Sequence, residues 1–158
     1  MWRKSDLLGL SALVPILSFI FQPMWILGII MITVSFKSFD LNFRDSIYTA
    51  HFRKKTSLGL LLLSILEGIT GFGAGPTTSN FISEVTFGLM SRGLSLELHL
   101  ALITPLALLF VLHTVSGFGS ILISKGIRNQ TVYRYVIPAV WLGMYIVTVY
   151  LDLNYFIP

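Results

Sequence analysis

Glu67 is the residue whose type and place could carry the most chemistry in this 158-residue chain. It stands in an apolar run, from Leu58 to Phe72, otherwise interrupted only by Ser64, Thr70 and glycines. An acidic side chain inside a bilayer-crossing helix costs at least ~2.5 kcal/mol unless something meets it. His113 lies in a second such run. Counted from the basic end of each run, both residues fall about ten positions in, ~15 Å at helical rise, so adjacent antiparallel helices would bring them together. A carboxyl and an imidazole in contact there would relay a proton, bind a cation or hydrogen-bond a quinone-like head group, because imidazole titrates near neutrality. The competing reading is a neutral Glu67 hydrogen-bonded to a neighbouring helix and His113 as a polar packing contact, with a partner subunit able to supply what either lacks.

Small residues surround this pair. Glu67, Gly71 and Gly75 recur every four residues, which sets the carboxyl above two glycines on one helical stripe, and Gly117 lies one turn from His113 with Gly119 close behind. Such patches let helices approach closely, so helix packing is expected of Gly71, Gly75 and Gly117 rather than a ligand cleft. The run Gly71-Phe72-Gly73-Ala74-Gly75 lacks the lysine and hydroxyl that a phosphate loop needs.

A second set, Asn80, Glu84, Glu97 and His99, falls where the chain would meet the outer interface. A metal or substrate site could be assembled from it, but residues two apart on a helix, as Glu97 and His99 are, do not face each other. No metal is expected there. A bis-histidine haem needs matched depths, and His51, His99 and His113 lie at three different ones, so no cofactor is expected. The chain has no cysteine, hence no thiolate site, cysteine nucleophile or disulfide. It contains no His-Glu-x-x-His, Gly-x-Ser-x-Gly or paired-carboxylate motif, which weighs against an enzyme.

The elements that must position these residues follow from composition. Hydrophobic residues make up 54% and charged residues 11%, against roughly 25% charged in soluble domains. Such a chain needs an apolar solvent. Residues 7–36 carry no charge and as one helix would reach ~45 Å, beyond a hydrocarbon core of about 30 Å. Gln22-Pro23 near the middle therefore predicts a tight hairpin of spans 4–21 and 24–38; the alternative is one kinked, tilted helix. The start, Met1-Trp2-Arg3-Lys4 ahead of an apolar stretch, resembles a secretory signal, but no small-x-small cleavage site follows Phe21, and the segment reads as a first span. A polar loop over 37–56 precedes a span at 57–75, which the Gly-rich run and Pro76 end. Segment 77–92 is too polar to cross and suits a short interfacial helix. Spans 98–123 and 132–151 follow, with Pro105 and Pro138 inside them. Tyr133, Tyr135, Trp141, Tyr145, Tyr150 and Tyr155 crowd the last span; those near its ends fit an aromatic belt and those in the middle fit packing. The expected fold is an all-α, polytopic transmembrane bundle of about five spans, one integral membrane domain over 1–158.

Charge tests the topology, because lysine and arginine collect on the cytoplasmic side of short loops. With five spans and the amino terminus inside, Arg3, Lys4, Lys37, Arg44, Arg53, Lys54, Lys55, Lys125, Arg128 and Arg134 share the inner face and only Arg92 lies outside. A single first span would move Arg3 and Lys4 outward, so the hairpin is preferred, with the amino terminus cytoplasmic and the carboxyl terminus outside. The net charge of +4 thus reports topology rather than nucleic acid, and Arg53-Lys54-Lys55 would add about 1 kcal/mol per charge toward anionic lipid. Asn129-Gln130-Thr131 matches a glycosylation sequon but falls on the inner side, where it is not used.

Three functions remain. The first is an accessory or structural subunit of a larger membrane complex, such as a respiratory one, with the lipid bilayer and other membrane subunits or further copies of itself as partners. The alternative is a small transporter, channel or proton-conducting protein using Glu67 and His113. The second alternative is an intramembrane or lipid-modifying enzyme using the outer set.

Overall fold

Apolar runs punctuated by proline, glycine and basic clusters fold here into helices alone. The structure is a computed structural model describing residues 3–156, with side chains through Asn154, and it contains no strand among them. Six α-helices follow one another: α1 Lys4–Ser11, α2 Trp25–Ser35, α3 Ala50–Ala74, α4 Ser79–Val85, α5 Arg92–Ser124 and α6 Ile137–Leu151. Tighter 3₁₀ turns occupy Val14–Phe19, Gln22–Met24 and Phe36–Phe39, and π-turns flank α6 at Val132–Val136 and Asp152–Phe156. Four helical stretches are long and apolar enough to cross a membrane: Gln22–Phe39, Ala50–Ala74, Arg92–Ser124 and Val132–Asn154. Met1, Trp2 and the Tyr155 side chain, read above as a signal-like start and a belt residue, lie outside the described residues.

The first arm is where the chain departs most from the expected spans. The helix expected over 4–21 is α-helical only through Ser11 and then tightens into the 3₁₀ turn at Val14–Phe19. Pro15 is the cause, since it has no N–H to offer the Ser11 carbonyl. The arm still covers most of the depth of the fold. Lys55 Nζ donates to Asp6 Oδ2 at 2.8 Å, while Ile16, Leu17 and Ile20 share a cavity with Leu66, Ile69 and Thr70. From Lys55 to Ile69 is about 21 Å of helix. The chain then turns at Gln22-Pro23 and returns through α2, which packs on α1.

Helix α3 begins seven residues before the span expected at 57–75. Thr49 caps it, its hydroxyl oxygen accepting the Phe52 N–H at 3.3 Å, and the basic residues 53–55 propagate it because lysine and arginine are good helix formers. Gly75, in an extended conformation, and Pro76 stop it. Helix α5 likewise starts early, at a Ser91 cap that accepts the Leu94 N–H at 3.3 Å. Between them the helix expected over 77–92 is helical only as α4. Phe87 (φ 54) and Gly88 (φ 81) adopt the left-handed region, which turns the chain back toward the bundle.

Antiparallel α3 and α5 form the spine. Small residues on α3 meet α5 at both ends of the crossing: a Cβ on Gly59 would lie 3.0 Å from Leu109 Cδ2, and one on Gly73 would overlap Ser95 Oγ. Behind them a single stripe of the last helix, Tyr133, Trp141 and Tyr145, is fully buried, while Tyr135 and Tyr150 face outward. Trp141 and Tyr145 pack edge to face at 5.9 Å.

Residues 40–49, part of the expected polar loop, fold up under the bundle. Ser116 Oγ donates to the Ile47 carbonyl at 2.5 Å and Ser120 Oγ to the Tyr48 carbonyl at 3.0 Å. The Tyr48 ring stacks edge-on against Tyr133 at 5.1 Å, and burial, with Tyr133 adding to it, pushes the Tyr48 phenol well above its ordinary pKa. Three ion pairs close this basic end: Lys55 with Asp6, Arg134 with Asp40 at 3.0 Å, and Arg3 with Asp45 at 3.9 Å.

Candidate functional site

The half of the α3–α5 crossing away from the basic end holds the titratable pair. Gly71 lacks a side chain where the His99 ring sits: a Cβ there would stand 3.2 Å from His99 Cε1. With that space open, the ring swings across the seam and His99 Nδ1 reaches 3.2 Å from Glu67 Oε1. The approach is off the line a hydrogen bond requires, and His99 Nδ1, Glu67 Oε2 and the Ser95 Oγ one turn away are all buried without a hydrogen-bond partner. Thr70 does not help, since its hydroxyl donates back to the Leu66 and Glu67 carbonyls at 2.9 and 3.1 Å. A groove of about 420 Å³ opens beside Glu67 between Ser64, Leu60, Ile103, Leu106 and Phe110.

The expected meeting of Glu67 and His113 does not occur. His113 Nδ1 pairs with Thr56 Oγ1 at 2.8 Å, so Thr56 marks its level on α3, and from Thr56 to Glu67 is eleven residues, about 16 Å. About seven of those eleven residues come from measuring α3 from the start of the apolar run, whereas the helix begins two turns earlier, at Ala50; the rest comes from α5, whose end runs past that start to meet the Tyr48 carbonyl through Ser120. His99, assigned from sequence to the outer set, is the residue at Glu67's level.

The remaining expectations divide. Gly71 faces α5 as the seat of His99, whereas a Cβ on Gly117 would meet nothing within 4 Å, and the close contacts on α5 come from Ser116 and Gly119 instead. Gly75 makes room for the Thr78 hydroxyl, which caps the Phe72 carbonyl. Asn80 and Glu84 lie exposed along a shallow groove with Ser83 and Phe87, and Glu97 is exposed on α5, so the outer set does not converge. Among the described residues no three histidine or acidic side chains gather as metal ligands.

Sequence reasoning missed a second buried carboxyl. Asp152 is 6% exposed and accepts the Thr104 hydroxyl at 2.6 Å, tying the end of the last helix to α5 beside Pro105. The only sequence signal was an acid at the end of an apolar run, which is unremarkable without knowing that Thr104 faces it.

Four long apolar helices with acids set among them are the features of a multi-pass membrane protein. No family model, curated protein or solved structure matches the chain.

Proposed function

We propose that the protein is a structural subunit of a larger membrane assembly and that it joins its partners through the outward face of α3. The observation that carries this reading is Glu67, whose Oε2 has no donor within the chain and whose side chain lines a groove beside Ser64 and Phe110. Lipid tails cannot satisfy it, whereas a neighbouring transmembrane helix bearing a hydroxyl or amide can. Only 11% of α3's apolar window is buried within the chain, against 33% for the last helix, and Ser57, Ser64 and Gly68 lie exposed on the same side, where a partner backbone could come close. The test is gentle-detergent purification of the tagged protein and its Glu67→Leu variant, with the mass of each complex measured. Wild type is expected to run as a complex with stoichiometric partner chains or further copies, and the variant to lose them by about tenfold in affinity, roughly the 1–2 kcal/mol of an interhelical hydrogen bond in a membrane. A lone monomer in both samples sinks the reading.

The same reading takes the chain as five spans with its amino terminus cytoplasmic. Ten of eleven basic residues favour one side, and the reach of the first arm from the level of Lys55 to that of Ile69 supports a crossing. Because the chain is cysteine-free, a single Phe21→Cys, exposed at the hairpin turn, can be labelled without background. An impermeant maleimide added outside intact cells is expected to react; reaction only after permeabilisation would overturn this topology.

A second reading, a proton- or ion-conducting protein, draws on the Glu67–His99 contact. There His99 replaces His113 as the titratable partner. Flux through reconstituted protein that is unchanged in both Glu67→Gln and His99→Ala removes it.

A further inference from the structure

A crevice separates the first arm from the α3–α5 spine, and it holds about 190 Å³ at the basic end, room for about six groups the size of a methylene or water at ~30 Å³ each. Gly9, Leu10 and Leu13 form one wall, and Phe52, Gly59 and Leu109 the other. Glycine on the first arm helps to keep it open: a Cβ on Gly9 would stand between the walls, 3.6 Å from Phe52. At its mouth stand Lys55 and Asp6, and while Asp6 Oδ2 takes the lysine, Asp6 Oδ1 is buried without a donor. Arg53, Lys54 and Arg3 stand near in sequence or through the ion pairs of this end. Apolar walls on both sides of a slot gain dispersion contacts from whatever lies between them, and in a bilayer the adjacent apolar material is an acyl chain.

We propose that this crevice is a binding site for one phospholipid of the basic-side leaflet, its acyl chain between α1 and α3, its phosphate on Lys55 and a headgroup donor on Asp6 Oδ1. A headgroup with both an anionic phosphate and a hydrogen-bond donor, ethanolamine or glycerol, satisfies both residues. Choline has no such donor. The site is independent of the assembly face, which lies on the groove side of α3 around Ser64 and Glu67.

The experiment passes the full chain through vesicles of equal parts phosphatidylethanolamine, phosphatidylglycerol and phosphatidylcholine, re-extracts it in mild detergent and reads retained lipid by native mass spectrometry. Wild type is expected to keep one phospholipid per chain, favouring the two donor-bearing headgroups over choline by about fivefold, the worth of one hydrogen bond. Gly9→Leu fills the slot, and Leu13→Phe fills it from the turn. Each is expected to cut retention by about tenfold, the equivalent of about two methylenes no longer buried, with helical content unchanged. Glu97→Gln, exposed on α5 at the end away from the slot, retains lipid as wild type does. Wild type that keeps no lipid, equal retention of the choline lipid, or filled-slot variants that match wild type would each overturn the proposal. So would a dimer that Gly9→Leu converts to monomer, because the occupant would then be a second chain.

Discussion

Gly119→Leu is expected to expel residues 40–49 from the base of the bundle and to cost about 3 kcal/mol, the upper end of overpacking penalties. A Cβ at position 119 would overlap the Tyr48 ring, lying 2.5 Å from its Cδ1, and the ring cannot slide aside because Tyr133 blocks it edge-on at 5.1 Å. What gives way is the backbone of the loop, held by Ser116 and Ser120 through the Ile47 and Tyr48 carbonyls. Tryptic cleavage after Arg44 reads the result, since wild type must open locally to be cut while the variant is already open. Two further variants separate cause from consequence. Tyr48→Phe should be close to neutral, because the Tyr48 hydroxyl has no partner to lose. Combining Gly119→Leu with Tyr48→Ala should cost less than the sum of the two, since the alanine removes the clash. Additive losses would show that position 119 acts through something other than the ring.

The loop and the Glu67–His99 pair were hidden from sequence for the same reason: hydropathy reports where a helix is apolar and is silent on where it starts and on which face it turns inward. Helices α3, α5 and the last one were legible because each carries an apolar run far longer than a strand could use. The start of α3 was legible only as chemistry, in Thr49 ahead of a run of helix formers, and reading the basic stretch 50–56 as loop displaced every depth measured along that helix by two turns. The register of α3 on α5 had its own signal. Ser95, Leu102, Leu109 and Ser116 recur every seven residues on α5 and are all buried, with Ser95 over Gly73 and Leu109 over Gly59 of α3. Aligning those small residues sets His99 beside Glu67, whereas the Glu67-Gly71-Gly75 stripe pointed only to a helix that packs somewhere. Pro15 was in plain view as well, and its missing donor explains the broken first arm without reference to any tertiary contact.

Gly28→Ala tests whether the hairpin is built into the bundle or merely lies against it, and it is expected to lower stability by about 3 kcal/mol. Position 28 is where α2 passes between α1 and the last helix. A methyl there would overlap the Tyr145 hydroxyl and stand 3.3 Å from the Ser11 carbonyl, so relief on one side worsens the other. Tyr145 is fully buried and its hydroxyl donates to the Trp25 carbonyl at 3.2 Å, which binds the return arm to the last helix at the level of Trp141. Removing that hydroxyl alone, as Tyr145→Phe, should cost only about 1 kcal/mol for one hydrogen bond. In the Gly28→Ala background the same change should instead be favourable, because it deletes the atom the methyl strikes and leaves the ring carbon behind it at 3.0 Å. A sign reversal of this kind is read directly from unfolding midpoints of the four proteins in one detergent. If Tyr145→Phe is destabilising in both backgrounds, α2 has room to move, and the first arm and its return would then be free to leave the bundle together rather than forming part of its wall.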